Sequence, residues 1–123
     1  MVPLLIIDGA NVVGSVPDGW WKDRAGAATR LRDRLAAVAR DGLAGIPAPV
    51  EVVLVVEGAA RDVTSIPGVR VTAAPGSGDD TIVELVRTEA AARRSIVVTA
   101  DRALRERVEA LGATTLGPRS VRP

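Results

Sequence analysis

Three short aliphatic runs constrain what this chain can fold into: Leu4-Leu5-Ile6-Ile7, Val52-Val53-Leu54-Val55-Val56 and Ile96-Val97-Val98. Each is too short to form the core of a helix, and none shows the polar alternation of a strand with one wet face. Such runs suit strands buried on both sides, as in a parallel sheet covered by helices. The segments between them have helical spacing. Leu31, Leu35 and Val38 share one face of a stretch from Ala27 to Leu43, and Asp23 is a suitable N-cap for it. Ile82, Val83, Val86 and Ala90 mark the buried face of a helix opened by Asp79-Asp80, and Leu104, Val108 and Leu111 that of a helix over 102–111. Alternating strands and helices of this kind make an α/β fold, a parallel sheet with helices on both faces.

Strands are expected at 4–8, 50–56, 69–73, 95–99 and 113–116. Residues 12–22 read as a loop rich in Gly, Pro and Asp, and 117–123 as a loose tail. A chain of 123 residues is long enough for one domain with a sizeable core and too short for two. No linker, repeat or low-complexity segment divides it, so 1–123 is read as a single domain.

Composition removes whole classes of chemistry. There is no Cys and no His. Disulfides, thiolate sites, His-ligated zinc and His-dependent triads are thereby excluded. Any metal site must use oxygen ligands, which favours Mg²⁺, Mn²⁺ or Ca²⁺. There is no Phe or Tyr, so stacking on a base falls to Trp20, Trp21 or arginine planes. The net charge of +1 gives no global pull on nucleic acid, but all the basic residues except Lys22 are arginine, which binds phosphate bidentately. The N-terminus has no basic stretch, its apolar run stops at Asp8, and no segment has the length of a membrane span. The expectation is a soluble cytoplasmic protein.

Parallel strands bring their C-terminal ends to one edge, where ligands bind in open α/β sheets. Asp8 ends the first run, Glu57 follows the second and Asp101 the third. Asp79 and Asp80 open a helix on the same edge, and Glu84 lies one turn past Asp80. Like charges so placed repel unless some take protons or a cation neutralises them. Each acid also has a plainer explanation. Asp8 and Asn11 suit a turn. Asp79 and Asp80 suit a helix N-terminus, with Ser77-x-x-Asp80 as an imperfect capping box. Asp101 suits a cap, and Glu57 and Glu84 suit solvent. These explanations are independent of one another, whereas one bound cation accounts for all the positions together.

The motifs Ile7-Asp8-Gly9-Ala10-Asn11-Val12, Asp80-x-x-x-Glu84 and Val98-Thr99-Ala100-Asp101-Arg102 have an order and spacing that resemble the NYN domains, in particular the YacP-like branch of the PIN-like ribonuclease superfamily. A Gly-Ala-x-x-Leu-Gly-Pro ending adds to the likeness, which covers nearly the whole chain. The resemblance implies a PIN-like three-layer sandwich with about five parallel strands, and metal-dependent cleavage of RNA. Asp8, Asp80 and Asp101 match the family's metal-binding acids, Asn11 the amide that follows the first of them, and Glu84 a further acid of this branch. Asp79 stands where the branch usually has a small neutral residue. Glu57 falls where the family often has an acid.

The leading expectation is therefore a Mg²⁺- or Mn²⁺-dependent endoribonuclease. Asp8 and Asp101 would hold one ion with help from Asp80, and Asp79 or Glu84 would help with a second. Asn11 would position a water, a ligand carboxylate or the phosphate. Arg102 lies beside the site and would contact a phosphate or pair with an acid. Arg24, Arg30, Arg93, Arg94 and Arg119 are candidates for phosphate contacts. Trp20 or Trp21 would stack on a base, or else cover an apolar patch or a dimer contact. A homodimer is expected by analogy. Two rivals stand beside this reading: an RNA- or ribosome-associated binding module without turnover, and a metal-dependent nucleotide phosphohydrolase. Dinucleotide binding is disfavoured, because Asp8-Gly9-Ala10-Asn11 lacks the glycine fingerprint and places an acid where pyrophosphate would sit.

Overall fold

The central strand β1 (Leu4–Asp8) is buried along its whole length. A computed structural model of the protein describes residues 1–122. In it β1 lies between β2 (Glu51–Val56) and β4 (Ser95–Val98), parallel to both. The outer strands β3 (Val69–Ala73) and β5 (Thr114–Leu116) complete a five-stranded parallel sheet in the order β3-β2-β1-β4-β5. From β1 the chain moves outward to β2 and β3, then crosses back to β4 and β5. The direction reverses between β1 and β4, which is the switch point where such sheets bind ligands.

The pleat of β1 divides the core in two. Leu5 and Ile7 pack with Leu54, Val98, Leu31 and Leu35 under α1 (Gly9–Gly14) and α2 (Arg24–Asp41). Leu4 and Ile6 pack with Val53, Val97, Ile82 and Leu104 under α3 (Gly78–Glu89) and α4 (Arg102–Glu109). Helices thus cover both faces, as the uninterrupted aliphatic runs require. Each fully buried side chain of β1 stabilises the fold by about 1.5–3 kcal/mol.

Three parts of the chain depart from expectation. The segment after β1 is not loop from the start, because α1 begins at once, with Asp8 as its N-cap accepting the Asn11 N–H at 3.4 Å. Small and polar residues concealed this helix. Second, α2 ends at Gly42, whose φ of +77° excludes a β-carbon, and a short antiparallel hairpin pairs Gly42–Leu43 with Ile46–Pro47. Third, the loose tail expected at 117–123 is corrected for its described part. Pro118–Ser120 form a 3-10 turn, and Val121 is buried in the core under α1 and α2. Arg122 donates to the carbonyls of Val12 at 3.3 Å and Val13 at 3.0 Å, and to Asp18. It thereby adds a donor to carbonyls at the end of α1, where the Val12 carbonyl also accepts from Ser15. Pro123 lies outside the described residues.

At Gly9, where β1 passes into α1, the backbone runs close against β2. A β-carbon there would stand 2.5 Å from the Val55 carbonyl oxygen, backbone that cannot yield without shifting the strand. Gly76, by contrast, has open space around it and no positive φ. We expect Gly9→Ala to lower stability by about 2–3 kcal/mol and Gly76→Ala to leave it nearly unchanged, measured by urea denaturation. Equal stabilities would show that α1 tolerates displacement from β2.

Candidate active site

Asp8 ends the central strand and is only 6 % exposed. The Thr99 hydroxyl donates to its Oδ2 at 2.8 Å, and the Asn11 N–H to its Oδ1 at 3.4 Å. Among the described residues no Arg or Lys pairs with it. Burial pushes its pKa up to about 6, the two hydrogen bonds pull against that, and the charges of Asp79 and Glu57 push it further. Thr99 also accepts the Asp101 N–H at 3.1 Å, so one hydroxyl joins the tips of β1 and β4 across the switch point. Asp101 caps α4 by accepting the Leu104 N–H at 3.0 Å. The plain capping role is therefore present, and one carboxylate oxygen carries it.

The pair at the start of α3 divides in a way the motif did not suggest. Asp79 is half-buried, and its pKa is raised by burial first, then by Asp101 and Glu57, with Arg107 opposing. Asp80 is exposed and pairs with Arg107 of α4 at 3.1 Å. Glu84 is exposed too and pairs with Arg87 at 3.4 Å. Helical spacing explains the division. Asp79, Val83 and Val86 form one stripe of α3, which faces the core; Asp80, Glu84 and Arg87 form the next, which faces out. Asp80 and Glu84 thus stand at the outer face of α3 in ion pairs, and Asp79 is the acid of this pair that α3 turns inward.

Glu57 does not face solvent. It is half-buried at the end of β2 and accepts the Gly78 N–H, an otherwise unpaired donor of the first turn of α3. The Asn11 side-chain carbonyl accepts the Ala100 N–H at 2.8 Å, so this amide positions the loop that carries Asp101. Arg105 holds the same loop through the Thr99 carbonyl at 3.0 Å. Neither Thr99 nor Arg105 had been singled out in the sequence, although Thr99 lies inside the Val98–Arg102 motif. Its signal was a hydroxyl at the polar end of an aliphatic strand.

A cleft of about 390 Å³ opens beside these acids, lined by Trp20, Arg24, Val13, Glu57, Gly58 and Gly76 among others. The Arg24 guanidinium lies over the Trp20 ring at 5.2 Å, a cation–π contact. Trp20 packs against the core, whereas Trp21 is 51 % exposed and meets Trp20 edge-on. Arg102, in the first turn of α4, and Arg119, beyond β5, are exposed at the same end of the sheet. Arg30 is exposed on α2 and lines a small hollow with Arg34 and Arg122. Arg93 and Arg94 lie apart from this group. They precede β4, at the opposite edge, where Arg93 pairs with Glu51 and Glu89 and Arg94 bonds the Gly45 carbonyl.

The donor chemistry suits a hard divalent cation: carboxylates that repel one another, without His, Cys or a balancing Lys or Arg around Asp8. Among the described residues, however, no three acidic side chains already stand close enough to hold an ion.

No family model matches the sequence, and no curated protein matches it. Solved structures do. The fold superimposes on the crystal structure of Rae1 (YacP) from Bacillus subtilis with a TM-score of 0.73 and 21% identity, over 96% of this chain and 70% of that one. A mutant of the same protein gives a TM-score of 0.71 and 21% identity, over 98% of this chain and 72% of that one. This chain has the YacP fold. The motif resemblance and the likeness of the folds thus agree on the architecture. Among the described residues no helix is long and apolar enough to cross a membrane.

The raised pKa of Asp8 has a consequence for the YacP fold in this chain. A carboxyl held at about 6 instead of 3.8 carries about 3 kcal/mol against its ionised form. Its folded value lies above the unfolded one, so its favourable contribution is full below pH 3.8 and lost as pH rises through about 6. Asp8→Asn should therefore be more stable than the wild type at pH 8, by about 1–3 kcal/mol, and the gap should close at pH 4. Thermal unfolding across this range tests it. An Asn variant no more stable at pH 8 would show that Asp8 is compensated in the folded chain.

Proposed function

We propose that this protein is a Mg²⁺- or Mn²⁺-dependent endoribonuclease whose site is the acid edge between β1 and β4. The observation that carries the reading is Asp8, a buried carboxylate without a cationic partner at the switch point of the sheet, facing the charges of Asp79 and Glu57. The resemblance to the NYN domains supports it, and so does the YacP fold.

Asp8, Asp79 and Asp101 would hold the cation. When bound, it would stabilise charge growing on the scissile phosphate and ease deprotonation of the attacking water. The chain's own groups do the rest. Thr99 fixes the Asp8 carboxylate through its hydroxyl and the start of α4 through the Asp101 N–H. Asn11 and Arg105 keep the β4–α4 loop in place. Arg102 and Arg119 are exposed guanidinium groups at this edge for RNA phosphates. Because Asp8 titrates near 6, its proton competes with the cation, and metal affinity should fall as pH drops through that value.

A second reading, an RNA-binding module without turnover, draws on the same residues and is favoured by the spread of the carboxylates, no three of which yet meet. It predicts RNA binding with no metal-dependent products.

The deciding experiment is cleavage of single-stranded RNA with Mn²⁺, together with calorimetric titration of the metal. The wild type should bind Mn²⁺ and cut. Asp8→Asn and Asp79→Asn should each lose activity by about 10²-fold or more, whereas Asp80→Asn should stay within a few-fold of wild type. Full activity in Asp79→Asn with loss in Asp80→Asn would reverse the assignment on α3. Metal binding without products would leave the binding module.

A further inference from the structure

We infer that the cleft beside the acids is a subsite for one unstacked nucleobase, and that Glu57 makes it prefer guanine and disfavour uracil. The inference rests on the reading of this edge as an RNA site and adds which base it takes.

The volume, about 390 Å³, falls at the lower end of the range of small-ligand sites, too small for a duplex segment and suited to one nucleotide. Its walls contain what a splayed base requires. Val13 and the Trp20 ring supply an apolar surface, and Arg24 lies over that ring with its planar guanidinium. Aromatic rings and arginine planes are the surfaces on which unpaired RNA bases stack. The Arg24 guanidinium makes no ion pair and no hydrogen bond to any described residue, so the fold does not require its charge for pairing. Gly58 and Gly76 meet no atom within 4 Å of an added β-carbon, which leaves room beside the backbone.

Glu57 is the polar group that discriminates. One of its oxygens accepts the Gly78 N–H, which holds the carboxylate at the wall of the cleft. The other bonds no described residue. A fixed carboxylate accepts from adjacent donors. Guanine presents two side by side on its Watson–Crick edge, the ring N1–H and the exocyclic amino group. Adenine and cytosine present an amino group alone. Uracil presents one N–H between two carbonyls, which a carboxylate repels. The charge of Glu57 reaches Asp8, so the cleft adjoins the acid edge.

The test is equilibrium binding and needs no cleavage. The two indole N–H groups give separate NMR signals, and the protein is titrated with GMP and with UMP in EDTA. GMP should shift the Trp20 indole and the amides of Gly58 and Gly76, and should bind at least fivefold more tightly than UMP. Glu57→Gln, which keeps an acceptor for Gly78, should reduce that ratio to below twofold. Ala59 also lines the cleft, and Ala59→Leu, which places bulk in it, should abolish the shifts in a chain whose remaining spectrum stays native. Equal binding of GMP and UMP, shifts confined to Trp21, or a ratio unchanged in Glu57→Gln would overturn the inference. RNA cleavage by the wild type is scored separately. Guanine-selective binding without cleavage keeps the subsite and removes the nuclease reading. Cleavage without such binding keeps the nuclease reading and removes the subsite.

Discussion

The buried carboxylate of Asp8 is the constraint on which the rest of this structure depends. An acid at the end of a central strand loses hydration, which disfavours its charged form. Leu4 to Ile7, all fully buried, offset that loss several times over, so the strand stays in the middle of the sheet and takes the acid with it. What the surroundings add at Asp8 is hydrogen bonding and no countercharge. Fold stability and the electrostatic condition of the site therefore pull in opposite directions at this residue, as is common where a site is built for a ligand that brings the missing charge.

Thr99 shows how the two halves of the sheet are made into one site. β1 and β4 pair along their length, but their exit loops run to opposite faces of the sheet. A single hydroxyl that donates to Asp8 and accepts from Asp101 N–H ties those exits together. Asn11 makes a second tie, from α1 to Ala100, and Glu57 a third, from β2 to the start of α3. Each tie satisfies a backbone donor that a strand end or helix start would otherwise leave unpaired. The geometry of the acid edge thus follows from ordinary hydrogen-bond satisfaction.

Much of this was legible in the residues. The aliphatic runs placed the strands to within a residue or so, because burial on both faces leaves no alternative pattern. Asp23, Asp101 and Gly112 marked helix ends as the chemistry of caps predicts. The helix after β1 was hidden because Gly, Ala and Asn show no apolar period. The end of the chain looked loose for a similar reason: a lone Val121 carries no period, and the role of Arg122 depends on carbonyls more than a hundred residues away. The division between Asp79 and Asp80 was partly legible, since Asp79 stands four residues before the core position Val83.

By itself the sequence determined the α/β class, the parallel sheet, the gathering of acids at one edge and the restriction of any metal site to oxygen ligands. These follow from local pattern and from residue types that are absent. Tertiary structure decided that Asp80 pairs with Arg107, that Glu57 turns inward to the start of α3, and that Arg93 and Arg94 lie at the opposite edge. It also decided that Trp20 and Arg24 share a cleft with Glu57. The reason is physical. A charged side chain takes its meaning from which other charges share its patch of low dielectric, and those neighbours come from strands and helices far apart in the chain.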